Sequence, residues 1–501
     1  MKKTRYILLS ILLVAGVFTA CDTVDFGNTN ADDDSVTEAN TEGLMAGAMN
    51  RYFTLTGRNY LAVPTLYTQY QSQAVYTTEQ RYGASAAGWQ GYYVQTLSNL
   101  NRVVEITTAD EVDDITRSYG APVNQANVAE LMSVLIWKRV TDTWGPVPYT
   151  NALGNGETIT PAYTDQETIY KDLISRAKSA RDALDASQAG PSGDPLYGGD
   201  VNMWKRFANS FIMNLSMQLS QKYPNSGGYA ATEFSAALNN GAGVIETVDQ
   251  EMWYDHANQP GMENPFSQLR GADYNMSDAF DLALRGNSDG THINYSSDSY
   301  DDRLNVFSSD TSLDGRPYGY ESLNNPPAYA SFSAAVSDPS SPLPYMTAAK
   351  TYLLRAEAAD RGWTSESATD MLQNGIEMSY ATIDQHWDDG SPNSGMLQSD
   401  GTQYALDRIA DATSSSMQQV IGEELWVAQF PMGFQSWSHW RRTDVPGLIP
   451  APDAVNNGEI PTRYIYPSDE AGVNSANYEE ALNMLSPSTD GINAKFWWDQ
   501  Q

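Results

Sequence analysis

Residues that could carry chemistry are scattered through the chain, and one segment matches a catalytic motif. Gly286-Asn-Ser288-Asp-Gly290 has the Gly-x-Ser-x-Gly spacing of a nucleophile elbow, which needs a strand before the serine and a helix after it. The residues before Gly286 have a helical pattern instead, so Gly286 is better interpreted as a helix cap. The motif is therefore a weak indication of a serine hydrolase.

No familiar metal-binding spacing is complete in the sequence. The four histidines, His256, His292, His386 and His439, share no ligand spacing such as His-x-x-x-His, so zinc is not predicted. The segment Asp298-Ser-Tyr-Asp-Asp302 offers oxygen ligands for calcium, but it lacks the loop glycine and terminal glutamate of an EF-hand. We expect no cofactor, and calcium at 298–302 stays an open alternative.

The single cysteine of the chain, Cys21, follows a short apolar run. Lys2, Lys3 and Arg5 form a cationic start, and the apolar residues up to Ala20 are fewer than the roughly 20 needed to cross a bilayer. Phe18-Thr-Ala-Cys21 fits a lipobox. The sequence therefore predicts a signal peptide over 1–20, acylation of Cys21 and a polar, acidic tether over 21–40. The alternative is an ordinary signal peptide with an incidental cysteine.

The overall charge narrows the choice of partners. The chain has a formal net charge of −33, which disfavours nucleic acid and anionic glycans as partners. After the apolar run before Cys21, no segment approaches the length of a membrane-spanning helix. Lipid at Cys21 is then the membrane contact that the sequence supports.

Helical periodicity dominates the body of the chain, residues 41–501. Apolar residues recur at helical spacing over 127–141, 345–362, 367–379 and 416–430. Thr164-Asp-Gln-Glu167 has the pattern of a capping box before another helix, and Asp200 opens the next one. The stretch from about 240 to 344 is rich in glycine, proline and asparagine, and only 278–285 has a helical pattern there. The predicted fold class is mostly α, with stacked helical hairpins and a loop-rich second subregion.

The aromatic residues divide into two groups. Rings at helical spacing are predicted to lie in the core: Trp204, Phe207, Phe211, Trp437 and Trp440. Rings and amides in irregular segments are candidate sugar platforms, because sugar C–H faces stack on aromatic rings while hydroxyls bond to polar side chains. These candidates are Gln69, Tyr70, Tyr76, Arg81, Tyr82 and Trp89 in an early loop, and Tyr274, Asn294, Tyr295 and Tyr300 in the middle region. The alternative is that these rings pack the loops onto the helices.

Four separated blocks of the sequence have a recognisable pattern: Thr141-Asp-Thr-Trp-Gly-Pro-Val-Pro-Tyr149, Leu196-Tyr-Gly-Gly-Asp200 with Trp204 to Ser210, Tyr352-Leu-Leu-Arg-Ala-Glu-Ala358, and Gly433 to Pro446. In this order they resemble the SusD/RagB family of nutrient-binding outer-membrane lipoproteins of Bacteroidota. The resemblance implies four tetratricopeptide-like hairpins and non-enzymatic capture of an oligosaccharide or peptide at the cell surface. It also implies delivery to a SusC-like TonB-dependent transporter. A lipid-anchored glycan hydrolase is the alternative, because acidic pairs such as Glu423-Glu424 could supply two carboxylates.

Overall fold

The computed structural model describes residues 40–55, 57–83, 87–154, 158–387 and 397–499. The predicted signal peptide, Cys21 and the tether up to residue 39 lie outside these ranges. From Thr41 onward, the chain forms one compact unit. Within the described ranges, no helix is both long enough and apolar enough to span a membrane.

Helices account for most of the regular structure. In chain order the α-helices are α1 (Thr41–Phe53), α2 (Val63–Tyr67), α3 (Gln90–Tyr92), α4 (Ser98–Thr107), α5 (Asp114–Ser118), α6 (Pro122–Trp144), α7 (Gln166–Ala183), α8 (Val201–Gln218), α9 (Tyr229–Leu238), α10 (Asp278–Leu284), α11 (Leu304–Phe307), α12 (Ala334–Ser337), α13 (Ala348–Asp360), α14 (Ala368–His386), α15 (Thr402–Ser414), α16 (Met417–Ala428), α17 (Gly433–Thr443), α18 (Glu470–Val473) and α19 (Ser475–Leu482). Arg58–Ala62 and Tyr93–Leu97 are π-helical, and Val248–Gln250 and Pro265–Gln268 are 3₁₀ turns.

The start of α8 confirms its predicted cap, whereas the start of α7 differs. The Asp200 carboxylate accepts hydrogen bonds from the backbone N–H groups of Asn202 and Met203, as an N-cap residue should. At α7 the cap is Asp165, which accepts from Thr168, so the predicted capping box at Thr164 is wrong. Thr164 is instead held extended in a short strand, and this leaves the next residue to cap the helix.

The helices pack as successive pairs. Helix α6 packs against α4 and α7, and α8 packs against α7 and α9. In the second half α14 packs against α13 and α15, and α16 packs against α13 and α15. Gly375 of α14 permits the close α13 contact, since a Cβ there would lie 2.7 Å from Cγ of Leu353. The predicted mostly α fold of stacked helical hairpins is confirmed.

Four short antiparallel pairs of strands tie the irregular segments together. They are β1 (Gln71–Gln73) with β5 (Tyr274–Met276), β2 (Val147–Pro148) with β3 (Tyr163–Thr164), β4 (Met252–Tyr254) with β7 (Leu343–Met346), and β6 (Ile293–Asn294) with β8 (Gly447–Leu448). The β4–β7 pair joins the two ends of the loop-rich region. The β1–β5 pair places the early loop beside the middle region, so it joins the two segments in which ligand residues were predicted.

Candidate functional site

Two of the predicted platform rings are buried instead of exposed. Trp89 is only 8% exposed, and its ring lies edge-on to Trp144 with centroids 5.7 Å apart. Tyr82 is 1% exposed, and its hydroxyl accepts a hydrogen bond from the backbone N–H of Ala451. Burial raises the pKa of Tyr82 to about 12. The expectation that these two rings are exposed is wrong, because they pack their loop onto the core.

Four other predicted residues are also buried. The Gln69 side chain donates to the carbonyl of Ile449 at 2.6 Å. Tyr70 donates to the carbonyl of Trp426 and stacks on the ring of that residue at 5.3 Å. Tyr274 lies in β5, and Tyr295 lies under the guanidinium of Arg408. For Gln69, Tyr70, Tyr274 and Tyr295, the expected exposure is therefore also wrong.

Tyr76 is exposed as predicted, and two residues that the sequence did not single out share its surface. Tyr76 is 71% exposed, Tyr320 is 37% exposed and Val455 is 57% exposed. They belong to three loops, residues 74–83, 317–321 and 451–456, which we call the three-loop surface. Exposed aromatic and aliphatic side chains on polar loops can stack on a flat ligand face.

Hydrogen bonds across the loops hold this surface together. Thr77 Oγ1 donates to the carbonyl of Glu321 at 3.1 Å, and Gln80 Nε2 donates to the carbonyl of Tyr320 at 3.0 Å. The third loop joins through the Val455 N–H, which donates to the carbonyl of Arg81 at 2.8 Å. The rings of Tyr76 and Tyr320 thus project from loops that are fixed at several points.

Charged side chains surround the two exposed tyrosines. The guanidinium of Arg58 lies 5.7 Å from the centroid of the Tyr76 ring and pairs with Glu79 at 3.1 Å. Arg81 pairs with Glu321 at 3.2 Å, and the Glu321 side chain is largely exposed. Arg58 is the more exposed of the two arginines, and because part-exposed pairs contribute little to stability, it can exchange Glu79 for ligand oxygens. Of these charged residues, only Arg81 was among the sequence candidates.

A groove of about 510 Å³, lined by both apolar and polar residues, begins at Tyr82 and Val455, next to the three-loop surface. Its volume is within the usual range for small-ligand sites. Asn456 donates to Asn493 at 3.0 Å, and the Asn456 side-chain oxygen has no partner among the described residues. The further lining residues are Glu459, Ile465, Pro487, Thr489, Asp490, Gly491, Ile492 and Ala494. Its amide, hydroxyl and carboxylate groups suit a ligand with many hydroxyls, and the exposed rings for stacking come from the adjoining three-loop surface, since Tyr82 itself is buried.

The remaining sequence candidates lie elsewhere in the middle region. Asn294 is exposed and pairs with Gly447 in the β6–β8 strands, and Tyr300 is 47% exposed and donates to Asn305 at 2.8 Å. A second open pocket of about 400 Å³ includes Asn294. Among the described residues, the one aromatic side chain that lines it is the buried Tyr295, so they offer no exposed ring for stacking there.

The residues that could have indicated a catalytic site, Ser288, Glu423 and Glu424, form hydrogen bonds or ion pairs within the protein. Ser288 Oγ donates to the carbonyl of Ile293 at 2.9 Å and accepts from the N–H of Tyr295, so it closes a loop. Gly286 follows α10 in the left-handed conformation, which confirms that it caps the helix. Glu423 and Glu424 are fully buried and pair with Arg408 at 2.5 and 2.7 Å. Ser288 lines the pocket that includes Asn294, but its hydroxyl is engaged in these two hydrogen bonds, and both carboxylates are buried against Arg408.

The calcium alternative at 298–302 finds no support in the arrangement of its carboxylates. Asp301 is buried and pairs with Arg303 at 2.6 Å, whereas Asp298 is exposed. Asp302 accepts a hydrogen bond from the N–H of Gln398. Among the described residues, no three histidine, cysteine or acidic side chains converge as a metal site would require.

Comparison with known proteins identifies the family. The model of a SusD-like family, described as "Starch-binding associating with outer membrane", matches residues 33–467. The chain belongs to the SusD-like family. The predicted resemblance is thereby confirmed, as is the prediction of a binding protein instead of an enzyme, since SusD-like proteins are binding proteins. A search of curated protein sequences found no match.

Solved structures of SusD-like proteins share the fold over nearly the whole chain. A chitin-binding protein has 24% identity and a TM-score of 0.74, and the match covers 92% of this chain and 100% of that one. A SusD homologue from Bacteroides fragilis has 22% identity and a TM-score of 0.73, with 93% and 100% covered. A chitin-binding SusD homologue from Flavobacterium johnsoniae has 21% identity and a TM-score of 0.72, with 92% and 99% covered. At these identities the likeness establishes the fold.

Proposed function

We propose that this SusD-like protein captures an oligosaccharide on the three-loop surface and the adjoining groove, and delivers it to a SusC-like TonB-dependent transporter. The observation that carries the proposal is the pair of exposed rings, Tyr76 and Tyr320, on loops fixed by hydrogen bonds beside an open groove. A fixed platform loses little conformational entropy when a ligand binds.

The choice of glycan follows from charge and from relatives. The net charge of −33 disfavours acidic glycans, so a neutral chain is favoured. Two of the similar solved structures are chitin-binding proteins, and the family description names starch. Chitin and starch oligosaccharides are therefore the first ligands to test, and an extended peptide is the alternative ligand.

The alternative of a glycan hydrolase has less support. Its two candidate carboxylates, Glu423 and Glu424, are fully buried and pair with Arg408, and Glu424 also pairs with Arg303. A retaining or inverting glycosidase needs both carboxyl groups beside the scissile bond. Incubation with labelled chitin and starch oligosaccharides should leave them intact if the protein only binds.

Calorimetric titration of the body, residues 41–501, tests the binding proposal. Tyr76→Ala and Tyr320→Ala should each weaken the affinity for the bound glycan about tenfold, because one stacked ring contributes about 1 kcal/mol. Tyr300→Ala is the matched control, since Tyr300 is an exposed ring in the other predicted cluster, with an exposure between those of Tyr320 and Tyr76. If Tyr300→Ala weakens binding and Tyr76→Ala does not, the ligand surface lies in the middle region instead.

Anchoring and delivery complete the proposal. Acylation at Cys21 would hold the body at the outer membrane, facing the cell surface, where a transporter can receive the ligand. Purification from outer membranes in mild detergent should recover a TonB-dependent transporter together with this protein. A stable complex of this kind buries more than about 2,000 Å². Recovery of the protein alone at native expression would contradict the partnership.

A further inference from the structure

An interior cavity of about 60 Å³ lies where α6, α8, α13, α16 and α17 meet, away from the three-loop surface. One water molecule needs roughly 10 to 15 Å³ of such volume, so the cavity holds a few waters or one small ion. It is too small for a sugar ring. The acidic and basic residues that line it are Lys138, Arg139, Asp142, Lys350, His439 and Arg442.

Two of the lining cations have carboxylate partners. Lys138 Nζ lies 2.6 Å from the Asp142 carboxylate. Arg442 binds both oxygens of Glu357, at 2.5 and 2.7 Å. Their charges are therefore balanced within the protein.

Lys350 is buried in the cavity wall without an ion pair among the described residues. Its ammonium donates to Gln435 Oε1 at 2.6 Å, and this amide oxygen is a neutral acceptor. Burial lowers the pKa of Lys350 well below its ordinary value, the nearby Lys138 lowers it further, and the Asp142 carboxylate opposes this only in part. A charged ammonium here therefore has a considerable cost in free energy, which an anion beside it would offset.

Arg139 is the second cation without a carboxylate partner in the described part of the chain. Its guanidinium lies over the ring of Phe434 and donates to the carbonyl of Tyr60 at 3.1 Å. Its Nε is buried, and no acceptor among the described residues contacts it. A guanidinium has five N–H donors, so Arg139 has donors to offer to an anion.

His439 adds no charge to this balance. Its Nε2 donates to the carbonyl of Gly422 at 3.0 Å, and burial lowers its pKa to about 3. The cavity wall thus has two basic side chains, Lys350 and Arg139, that form no ion pair with a carboxylate of the described residues.

We propose that this cavity binds one small anion, chloride or a carboxylate no larger than acetate, between the Lys350 ammonium and the Arg139 guanidinium. The volume sets the upper limit on size, and the two unpaired cations set the charge. A bound anion would satisfy free donors of both side chains and link α6 to α13. This site is independent of the proposed glycan function.

Thermal unfolding at constant ionic strength tests the proposal. Chloride, formate or acetate is varied from 1 to 300 mM, and sodium gluconate, whose anion is too large for the cavity, maintains the ionic strength. At concentrations above the dissociation constant, each tenfold rise in the concentration of an anion that binds should raise the Tm by roughly 1 to 2 °C. Comparison of the three anions identifies whether a halide or a carboxylate is preferred.

A matched pair of variants separates the site from general salt effects. Lys350→Met keeps the chain length and removes the charge, so it should lose the anion dependence of the Tm. Lys171→Met removes an ammonium that is 42% exposed and pairs with Glu167, and it should keep that dependence. Equal anion dependence in wild type and Lys350→Met would overturn the proposal.

Crystals of the unsubstituted protein grown in bromide give an answer that does not depend on a variant folding. An anomalous peak within about 3.5 Å of both Lys350 Nζ and an Arg139 nitrogen is expected. A cavity that contains only water at high bromide concentration would overturn the proposal. Such a result would indicate that Lys350 is neutral in the folded protein.

Discussion

Thr77 Oγ1 donates a hydrogen bond to the backbone carbonyl of Glu321 across 244 residues of sequence. The bond joins the loop that carries Tyr76 to the loop that carries Tyr320. Together with the bond from Gln80 to the Tyr320 carbonyl, it fixes the positions from which the two exposed rings project. The candidate glycan platform thus depends on polar contacts beneath the rings as well as on the rings themselves.

Removal of the hydrogen bond between Thr77 and Glu321 should weaken ligand binding without removing any group that contacts the ligand. Thr77→Val keeps the shape of the side chain and loses its hydroxyl, which should reduce stability by about 0.5 to 1.5 kcal/mol. Glycan affinity should fall severalfold, because the freed loops must be ordered on binding. Thr108→Val is the control, since that hydroxyl bonds only within its own helical turn. Unchanged affinity in Thr77→Val would show that the loops are held by other contacts.

Trp89→Ala should act on stability and leave binding intact. Its ring contacts Trp144, Tyr163 and Tyr466, with centroid separations of 5.7, 6.1 and 6.1 Å. Truncation of a buried aromatic ring costs about 3 to 5 kcal/mol. Urea unfolding should show that loss, whereas Tyr76→Ala should unfold like wild type. If folded Trp89→Ala binds the glycan much more weakly, Trp89 belongs to the ligand site after all.

Local sequence predicted the helices correctly but predicted the exposure of Trp89 wrongly. Apolar periodicity and a capping aspartate act within a few residues, so α6 and α8 were predictable, with Asp200 as a cap. The partners of Trp89 come from up to 377 positions away, so its glycine-rich surroundings gave a false indication of exposure. Tyr320 was missed for the same reason. It is recognised as part of the candidate site through its contact with the early loop, which is 240 positions away in the sequence.

The buried charge network near the middle region predicts a large loss of stability. Arg408 is fully buried and pairs with Glu423 at 2.5 Å and with Glu424 at 2.7 Å. Arg408→Met would leave buried carboxylates with fewer partners, which should cost about 3 to 5 kcal/mol in urea unfolding. Arg102→Met, which breaks an exposed pair with Glu105, should cost less than about 1 kcal/mol. Equal losses in both variants would contradict the network's role.

Cys21→Ser tests the predicted anchor. Without a thiol the residue cannot be acylated, so the protein should leave the membrane fraction and appear in the soluble fraction. Fractionation of cells followed by a carbonate wash measures this, and replacement of the nearby Thr23 by serine serves as the control. A Cys21→Ser protein that is still processed and resists the wash would disprove lipid anchoring at this residue.

Glu251 should make stability depend on pH near neutrality. Its carboxylate accepts from the Ala348 N–H at 2.8 Å, from Thr382 at 2.7 Å and from the Trp253 indole at 2.8 Å. Burial nevertheless raises the pKa of Glu251 to about 7, so the folded protein favours the protonated form. The resulting stabilisation is complete below pH about 4.5 and is lost as pH rises through about 7, a change of about 3 kcal/mol.

Glu251→Gln isolates this contribution, because glutamine cannot ionise. The free energy of unfolding of the wild type minus that of Glu251→Gln should fall by about 3 kcal/mol between pH 5 and pH 8. The difference between the two proteins is the quantity to measure, since burial also raises the pKa of Asp278 to about 6 and that of Asp499 to about 7. Glu479→Gln, on an exposed face of α19, reports the effect of net charge alone. A wild-type-minus-variant difference that is the same at pH 5 and pH 8 would show that Glu251 is ionised throughout this range.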